Sequence, residues 1–263
     1  MPRSIGSRVV SRSRRSGRGT DAWRCVEQEE YTLMDDAEAT MWWYRALHAR
    51  LLDALTARPG PILDAGCGTG GLLARLAGRA DAVGLEWNHD AARRAAGKSG
   101  LPVAQGGIAA MPFAAASFGT VIAADVLCHA AVEPAAALVE VRRVLRPGGR
   151  LIVNMPAYRW MMSVHDDRVH NARRQTAGQT RAMLVGAGFA IVAIGYWNSL
   201  LLPLMIAHRK FSARSHPRSD VAVFSPWRDR ILHGMTELER HLPFRLPAAG
   251  SILAIAERPT EPK

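Results

Sequence analysis

The 263-residue sequence has no apolar run of the roughly 18–20 residues that a membrane-spanning helix needs. Its most apolar stretch, "SLLLPLMIA" (Ser199 to Ala207), is about half that length and contains Pro203. Cysteine is scarce: Cys25, Cys67 and Cys128 are odd in number and widely spaced. That excludes a disulfide framework or zinc-finger spacing and fits a reducing, cytoplasmic compartment. Acids are missing from residues 1–20, which hold six arginines and five serines. The stretch has too few apolar residues for the amphipathic face of a transit peptide. No aromatic residues interleave with its arginines, as base stacking would need. Nucleic acid is therefore not an expected partner. Residues 1–33 are expected to be a disordered basic extension or the product of an upstream start, with Met34 as the natural start. No internal repeat is present.

What the chain does have is alternation. Apolar residues make up 48% of it, enough for a globular core. "DDAEATMWWYRALHARLLDAL" (Asp35 to Leu55) reads as one helix, with Tyr44, Leu47, Leu51 and Leu55 on its buried face and Asp35, Asp36 and Glu38 at its positive end. "ILDAG", "DAVGLEWN", "LPVAQGG", "FGTVIAADVL" and "RLIVNMP" read as five strands, separated by helical segments such as "HDAARRAAGKSG" and "PAAALVEVRRVLR". The helix "AGQTRAMLVGAG" and the strand "FAIVAIGYW" follow, and "SILAIAER" closes the series. Such alternation builds a parallel sheet covered by helices on both faces. The chain is expected to form a single domain over 34–263, with a helical insertion at about 198–250.

The chemistry centres on "LDAGCGTGG" (Leu63 to Gly71), a glycine-rich turn between a strand and a helix. As Gly66-x-Gly68-x-x-Gly71 it fits a dinucleotide loop. As Asp64-x-Gly66-x-Gly68-x-Gly70 it fits an S-adenosylmethionine loop. In an open α/β sheet this turn lies at the ligand site. Glu86, at the end of the second strand, could bind ribose hydroxyls in either case. Asp64 separates the two. A carboxylate there opposes a pyrophosphate and favours a ligand carrying an ammonium and a sulfonium.

Taken in order, "ILDAGCGTGGLL", "GLEWN", "AAMPFAAASFGTVIAADVLCHA" and "VRRVLRPGGRLIVNMPA" resemble the class I S-adenosylmethionine-dependent methyltransferases. The resemblance implies a Rossmann-like, doubly wound seven-stranded sheet in the order 3-2-1-4-5-7-6, with the last strand antiparallel. It implies that Asp64, Gly66, Cys67, Gly68 and Gly70 form the cradle for the methionine end of S-adenosyl-L-methionine. Glu86 would hold the ribose and Trp87 would lie against the adenine. Where the family often has an aspartate facing the adenine amino group this chain has Gly107, leaving the backbone amides of Gly107 and Ile108. Asp125 and His129 match the family's D-V-L-x-H pattern at the reaction centre.

Other features have two readings each. His129, and after it His165, are the candidate general bases, because neutral imidazole titrates near working pH. His129 could equally be a loop histidine. "SVHDDRVH" (Ser163 to His170) reads as a substrate-facing loop or as a loop tied by Arg173 and Arg174. It is not expected to bind a metal. Trp43 and Tyr44 are core packing or a lid over the site. "YWNSLLLPLMIAHRK" (Tyr196 to Lys210) packs on the sheet or makes peripheral membrane contact through residues 197–210. The expected function is methyl transfer to a small or lipid-like acceptor. The alternatives are a non-catalytic S-adenosylmethionine-binding module and an NAD-dependent oxidoreductase.

Overall fold

The computed structural model describes residues 28–56, 60–212, 225–243 and 246–260, except the side chains of residues 28–30, 164, 165 and 208–212. Seven strands form one sheet: β1 (Ile62–Ala65), β2 (Ala82–Glu86), β3 (Val103–Gln105), β4 (Phe118–Ala124), β5 (Leu145–Pro156), β6 (Ala190–Trp197) and β7 (Ser251–Glu257). Their order is β3-β2-β1-β4-β5-β7-β6. Pairs from β3 through β5 are parallel, and β7 runs antiparallel to both β5 and β6. The sheet has the expected order and direction throughout.

The period of two along each strand divides the core between two faces. Leu63, Val121, Leu151 and Val153 pack on one face, where α5 (Pro134–Val144) and α7 (Ala177–Gly186) bring Leu138, Val141 and Leu184. Ile122 and Ile152 pack on the other with Leu47, Leu51, Leu73 and Ala95. These come from α2 (Trp42–Ala54), α3 (Gly71–Leu76) and α4 (His89–Ser99). Each large aliphatic side chain buried here stabilises by about 1.5–3 kcal/mol. The helices start where their caps dictate. Asn88 accepts from the N–H groups of Asp90 and Ala91, and Thr176 with Gln179 forms a capping box.

The helix expected over 35–55 is two. α1 spans Gln28–Ala37, and α2 begins at Trp42 after the extended Met41. The acids do not sit at a helix start; they reach across to α4. Lys98 lies 2.5 Å from Asp35 and 2.8 Å from Glu38, and Arg94 lies 3.0 Å from Asp35. The first N–H of α2 is taken by Asp229, at 2.6 Å, from α9 (Pro226–Arg240). α1 also corrects the expectation for residues 1–33: its first residues are helical, and Tyr31 is buried. Residues 1–27 lie outside the described residues. Between β6 and β7 stand α8 (Leu202–Ser212) and α9. Among the described residues, no helix is long and apolar enough to cross a membrane.

Candidate functional site

The turn from β1 to α3 is shaped by glycines at positive φ, +89° at Gly66 and +91° at Gly70. Gly66 and Cys67 donate their N–H groups to the Leu85 carbonyl at 2.7 and 3.0 Å, which anchors the loop to β2. A Cβ on Gly66 would stand 2.4 Å from a Val126 methyl, and one on Gly70 would stand 2.6 Å from the Ala95 Cα. The backbone is therefore bare where the loop meets β4's far end and α4.

Carboxylates gather around this loop. Glu86 ends β2 and accepts from the Gly68 N–H at 3.0 Å, the Asn88 N–H at 2.9 Å and the Tyr31 hydroxyl at 3.1 Å. Burial raises its pKa, and these donors pull the other way. Glu38 is also buried and also raised by burial, against the opposing pull of Lys98. Asp64 lies on β1 with its Oδ2 buried and without a hydrogen-bond partner. Burial, then the charges of Glu38 and Glu86, push its carboxyl up to about 7. The arrangement is short of positive charge, which a cationic ligand would supply.

Beyond β2, Trp87 is exposed, and its ring edge comes to 3.5 Å from the position a Cβ on Gly107 would take. Ile108 is buried behind it. Trp87, Gly107 and Ile108 are thus brought together beside Glu86. Cys67 packs in the core, and burial holds its thiol protonated.

At the end of β4, Asp125 adopts φ +54° and both its oxygens accept from the Asn154 amide, at 2.9 and 3.0 Å. Burial pushes its carboxyl up to about 6, opposed by Asn154 and Arg174. Asn154 in turn accepts from the Trp197 indole at 2.8 Å. Trp197 stacks on Trp43 at 6.4 Å, and the Arg50 guanidinium lies 4.7 Å from its ring. Trp43 and Tyr44 thus pack around α2, Trp43 against the Trp197 that bonds Asn154. Tyr44 is buried with its ring edge against Trp43. Over the loop lie Met34 of α1 and Glu38 in the turn after it, 3.6 and 3.9 Å from the Cβ position of Gly68.

His129 follows in the turn after Asp125. Its Nδ1 stands 2.8 Å from the Val169 carbonyl. A carbonyl only accepts, so Nδ1 carries the proton and Nε2 keeps its lone pair. Burial lowers the pKa and keeps the ring neutral. The segment that supplies Val169 is a tied loop. Asp166 is fully buried and accepts from the Ser163 N–H and hydroxyl, the Asn171 amide and the Arg174 guanidinium fork. Arg173 donates to the His129 carbonyl at 2.5 Å. Asp166 is turned into Arg174, and among the described residues no group of three or more potential metal ligands comes together. The His165 side chain lies outside the described residues.

Tyr31, Glu38, Asn154 and Trp197 stand beside the candidate site without having been read as site residues in the sequence. Their only signal is spatial: each bonds or faces a recognised residue from a distant segment.

Residues 63–153 match the protein family described as "Methyltransferase domain". A protein encoded in transposon TN4556 of Streptomyces fradiae is 37% identical over 157 residues, covering 56% of this chain and 44% of its own length. A Mycobacterium tuberculosis H37Rv protein is 31% identical over 144 residues, covering 51% and 48%. The chain thus spans about half the length of these curated relatives. Among solved structures, an S-adenosylmethionine-dependent methyltransferase of Thermotoga maritima superposes with a TM-score of 0.58 at 18% identity, covering 88% of this chain and 95% of that one. The geranyl diphosphate C-methyltransferase of Streptomyces coelicolor A3(2), solved with Mg2+, geranyl diphosphate and S-adenosyl-L-homocysteine, superposes at 0.55 with 15% identity, covering 82% and 78%. At these identities the superpositions speak for the fold.

Proposed function

We propose that the chain is a class I S-adenosylmethionine-dependent methyltransferase that transfers the cofactor's methyl group to a small or lipid-like acceptor. The observation that carries this is the Asp64 carboxyl, whose buried Oδ2 has no hydrogen-bond partner, beneath a loop that has no room for a side chain at Gly66 or Gly70. Both features fit the cofactor: the glycines let the loop turn tightly between β1 and α3 at positive φ, and an unpartnered carboxyl oxygen favours a cation over a pyrophosphate. When bound, the cofactor supplies an electrophilic methyl on a positive sulfonium. Asp64 and the loop amides would hold the methionine end, Glu86 the ribose, and Trp87 with Gly107 and Ile108 the adenine. Asp125, braced by Asn154, would complete the methionine pocket. The protein's remaining task is to orient the acceptor and exclude water. Where the accepting atom must lose a proton, His129 Nε2 is the proposed base.

An aromatic surface beyond the sheet's C-terminal edge supports an apolar acceptor. Tyr158, just after β5, stacks on Tyr196 at 5.3 Å and on the exposed Trp160 at 5.7 Å. The Streptomyces enzyme, whose structure holds geranyl diphosphate, gives one instance of this fold with an isoprenoid ligand.

Calorimetry with S-adenosylmethionine, S-adenosylhomocysteine and NAD tests the reading. The first two are expected to bind and NAD is not; tighter binding of NAD would overturn it. Formation of S-adenosylhomocysteine with an acceptor separates an enzyme from a binding module. Glu86→Ala is expected to weaken cofactor binding by about 1.5–3 kcal/mol, the scale of charge-assisted hydrogen bonds. An unchanged affinity would place the ribose elsewhere.

Tyr31 allows a sharper test. The Tyr31 hydroxyl and the Asn88 N–H fill both lone pairs of Glu86 Oε1, and the Gly68 N–H uses Oε2. A ribose diol needs two acceptor sites, so a donor must leave, and the tyrosine hydroxyl is the one not fixed in the backbone. Tyr31→Phe is therefore expected to tighten cofactor binding by about 1.5–3 kcal/mol, one hydrogen bond to a charged acceptor. Weaker binding would mean that Tyr31 stays and completes the pocket. A chain begun at Met34 would lose this contact altogether.

A further inference from the structure

α9 is built inside out. Its inner side meets the protein through polar contacts. Asp229 accepts from the Trp42 N–H and from Arg45 at 3.2 Å. The Thr236 carbonyl accepts from Arg50 at 2.8 Å, and Arg240 bonds Asp53 at 2.6 Å. Glu239 accepts from the N–H groups of Ser199 and Leu200. The outer side carries three large apolar residues, while Leu232 and Met235 are half-buried. Trp227, Ile231 and Leu238 are 60%, 55% and 61% exposed and recur, with Gly234, at i, i+4, i+7 and i+11. That spacing draws a single stripe along the helix. A surface helix normally shows the reverse.

The charges beside the stripe have one sign. Arg228 and Arg230 are exposed on either side of it, with the Arg228 guanidinium 5.3 Å from the Trp227 ring. None of the helix's three acids is exposed: Asp229 and Glu239 bond inward as above, and Glu237 is paired with Arg240 at 2.7 Å. An apolar stripe of tryptophan and branched aliphatics, edged by arginines and cleared of exposed acid, is complementary to an anionic lipid surface. We propose that the outer face of α9 docks on the interface of an anionic bilayer, with Trp227, Ile231 and Leu238 entering the headgroup boundary and Arg228 and Arg230 meeting lipid phosphates. Contact through residues 197–210 was the expectation from sequence, but the observations carry further on α9. The proposal does not depend on the methyl-transfer reading, since it uses no residue of the glycine-loop site.

Sedimentation of the full chain with vesicles tests it, using phosphatidylcholine alone and phosphatidylcholine with added phosphatidylglycerol. Binding is expected to the anionic vesicles and to fall as salt rises. Ile231→Glu and Trp227→Glu should each weaken it by about tenfold or more, and Arg228→Gln with Arg230→Gln by a similar factor. S-adenosylhomocysteine affinity and melting temperature serve as controls and should not move, because these side chains are exposed. If either glutamate variant fails to fold, Leu238→Ser carries the same test. Absence of vesicle binding would overturn the proposal. So would binding that survives Ile231→Glu, which would assign it to another basic region such as residues 1–20. A dimer in solution that Ile231→Glu splits would also overturn it, giving the face to a second copy of the chain.

Discussion

Gly70→Ala is expected to destabilise the protein by about 2–5 kcal/mol and to abolish measurable cofactor binding. Two effects add at this residue. At φ +91° an alanine is strained, by roughly 1–2 kcal/mol. Its Cβ would also stand 2.6 Å from the Ala95 Cα and 3.1 Å from the Ala95 carbonyl oxygen. Those are backbone atoms of α4, which cannot turn aside as a side-chain end can. The helix would have to move, at about 1–3 kcal/mol for an overpacked contact. α4 is tied to α1 through Lys98 and Arg94, so the displacement would reach both sides of the glycine loop. Urea unfolding measures the loss as a lower midpoint at unchanged slope. Gly78→Ala is the control: its φ is +70°, but nothing lies within 4 Å of the added atom. Equal losses in the two variants would show that the approach of α4 to the loop carries no weight.

The alternation of strands and helices could be read from the sequence because each element carries its own period and its own stop. Pro134 opens α5, and Gly100 at φ +68° closes α4. The strand order is different. No local period encodes it, and it was expected only because four motifs in series resembled a family. The break between α1 and α2 was not legible. Asp35 and Glu38 look like acids favouring a helix start, and they are bound instead to Lys98, about sixty residues on in the chain. Asp229 caps α2 across 187 positions, a contact that no sequence window contains.

The candidate site divides in the same way. Asp64, Gly66, Gly68, Gly70, Glu86, Trp87 and Gly107 stand on consecutive strand ends, and topology alone gathers them. Tyr31 reaches Glu86 from 55 residues away, out of a segment whose composition suggested no structure. The Asp125–Asn154–Trp197 chain joins three strands through side chains, and a Trp in an apolar strand reads only as core. Trp43 stacks on Trp197 of β6, a contact equally beyond any sequence window.

Asp64→Asn is expected to separate stability from binding, and the pH dependence gives the sign. The Asp64 carboxyl sits at about 7 in the folded chain, against 3.8 ordinarily, through burial first and then Glu38 and Glu86. Between those values the folded state holds a proton that the unfolded state has lost. Stability due to this group therefore falls as pH rises from about 4 to about 7 and stays low above that. Asparagine removes the penalty. At pH 8 the variant is expected to be more stable than the parent by on the order of 2–4 kcal/mol, and near pH 4 the two should be alike. The gain is matched by a loss. Without the carboxylate, S-adenosylmethionine should bind at least about tenfold more weakly at pH 8, as one charge-assisted contact is removed. In the parent, a bound cation favours the ionised carboxyl. Affinity for S-adenosylmethionine should accordingly rise between pH 6 and 8, with proton release seen as a dependence of binding enthalpy on buffer. Asp64→Asn should show neither effect. A variant that melts below its parent at pH 8 would show that the Asp64 carboxylate is already satisfied in the free protein, and the electrostatic reading of the loop would fall with it.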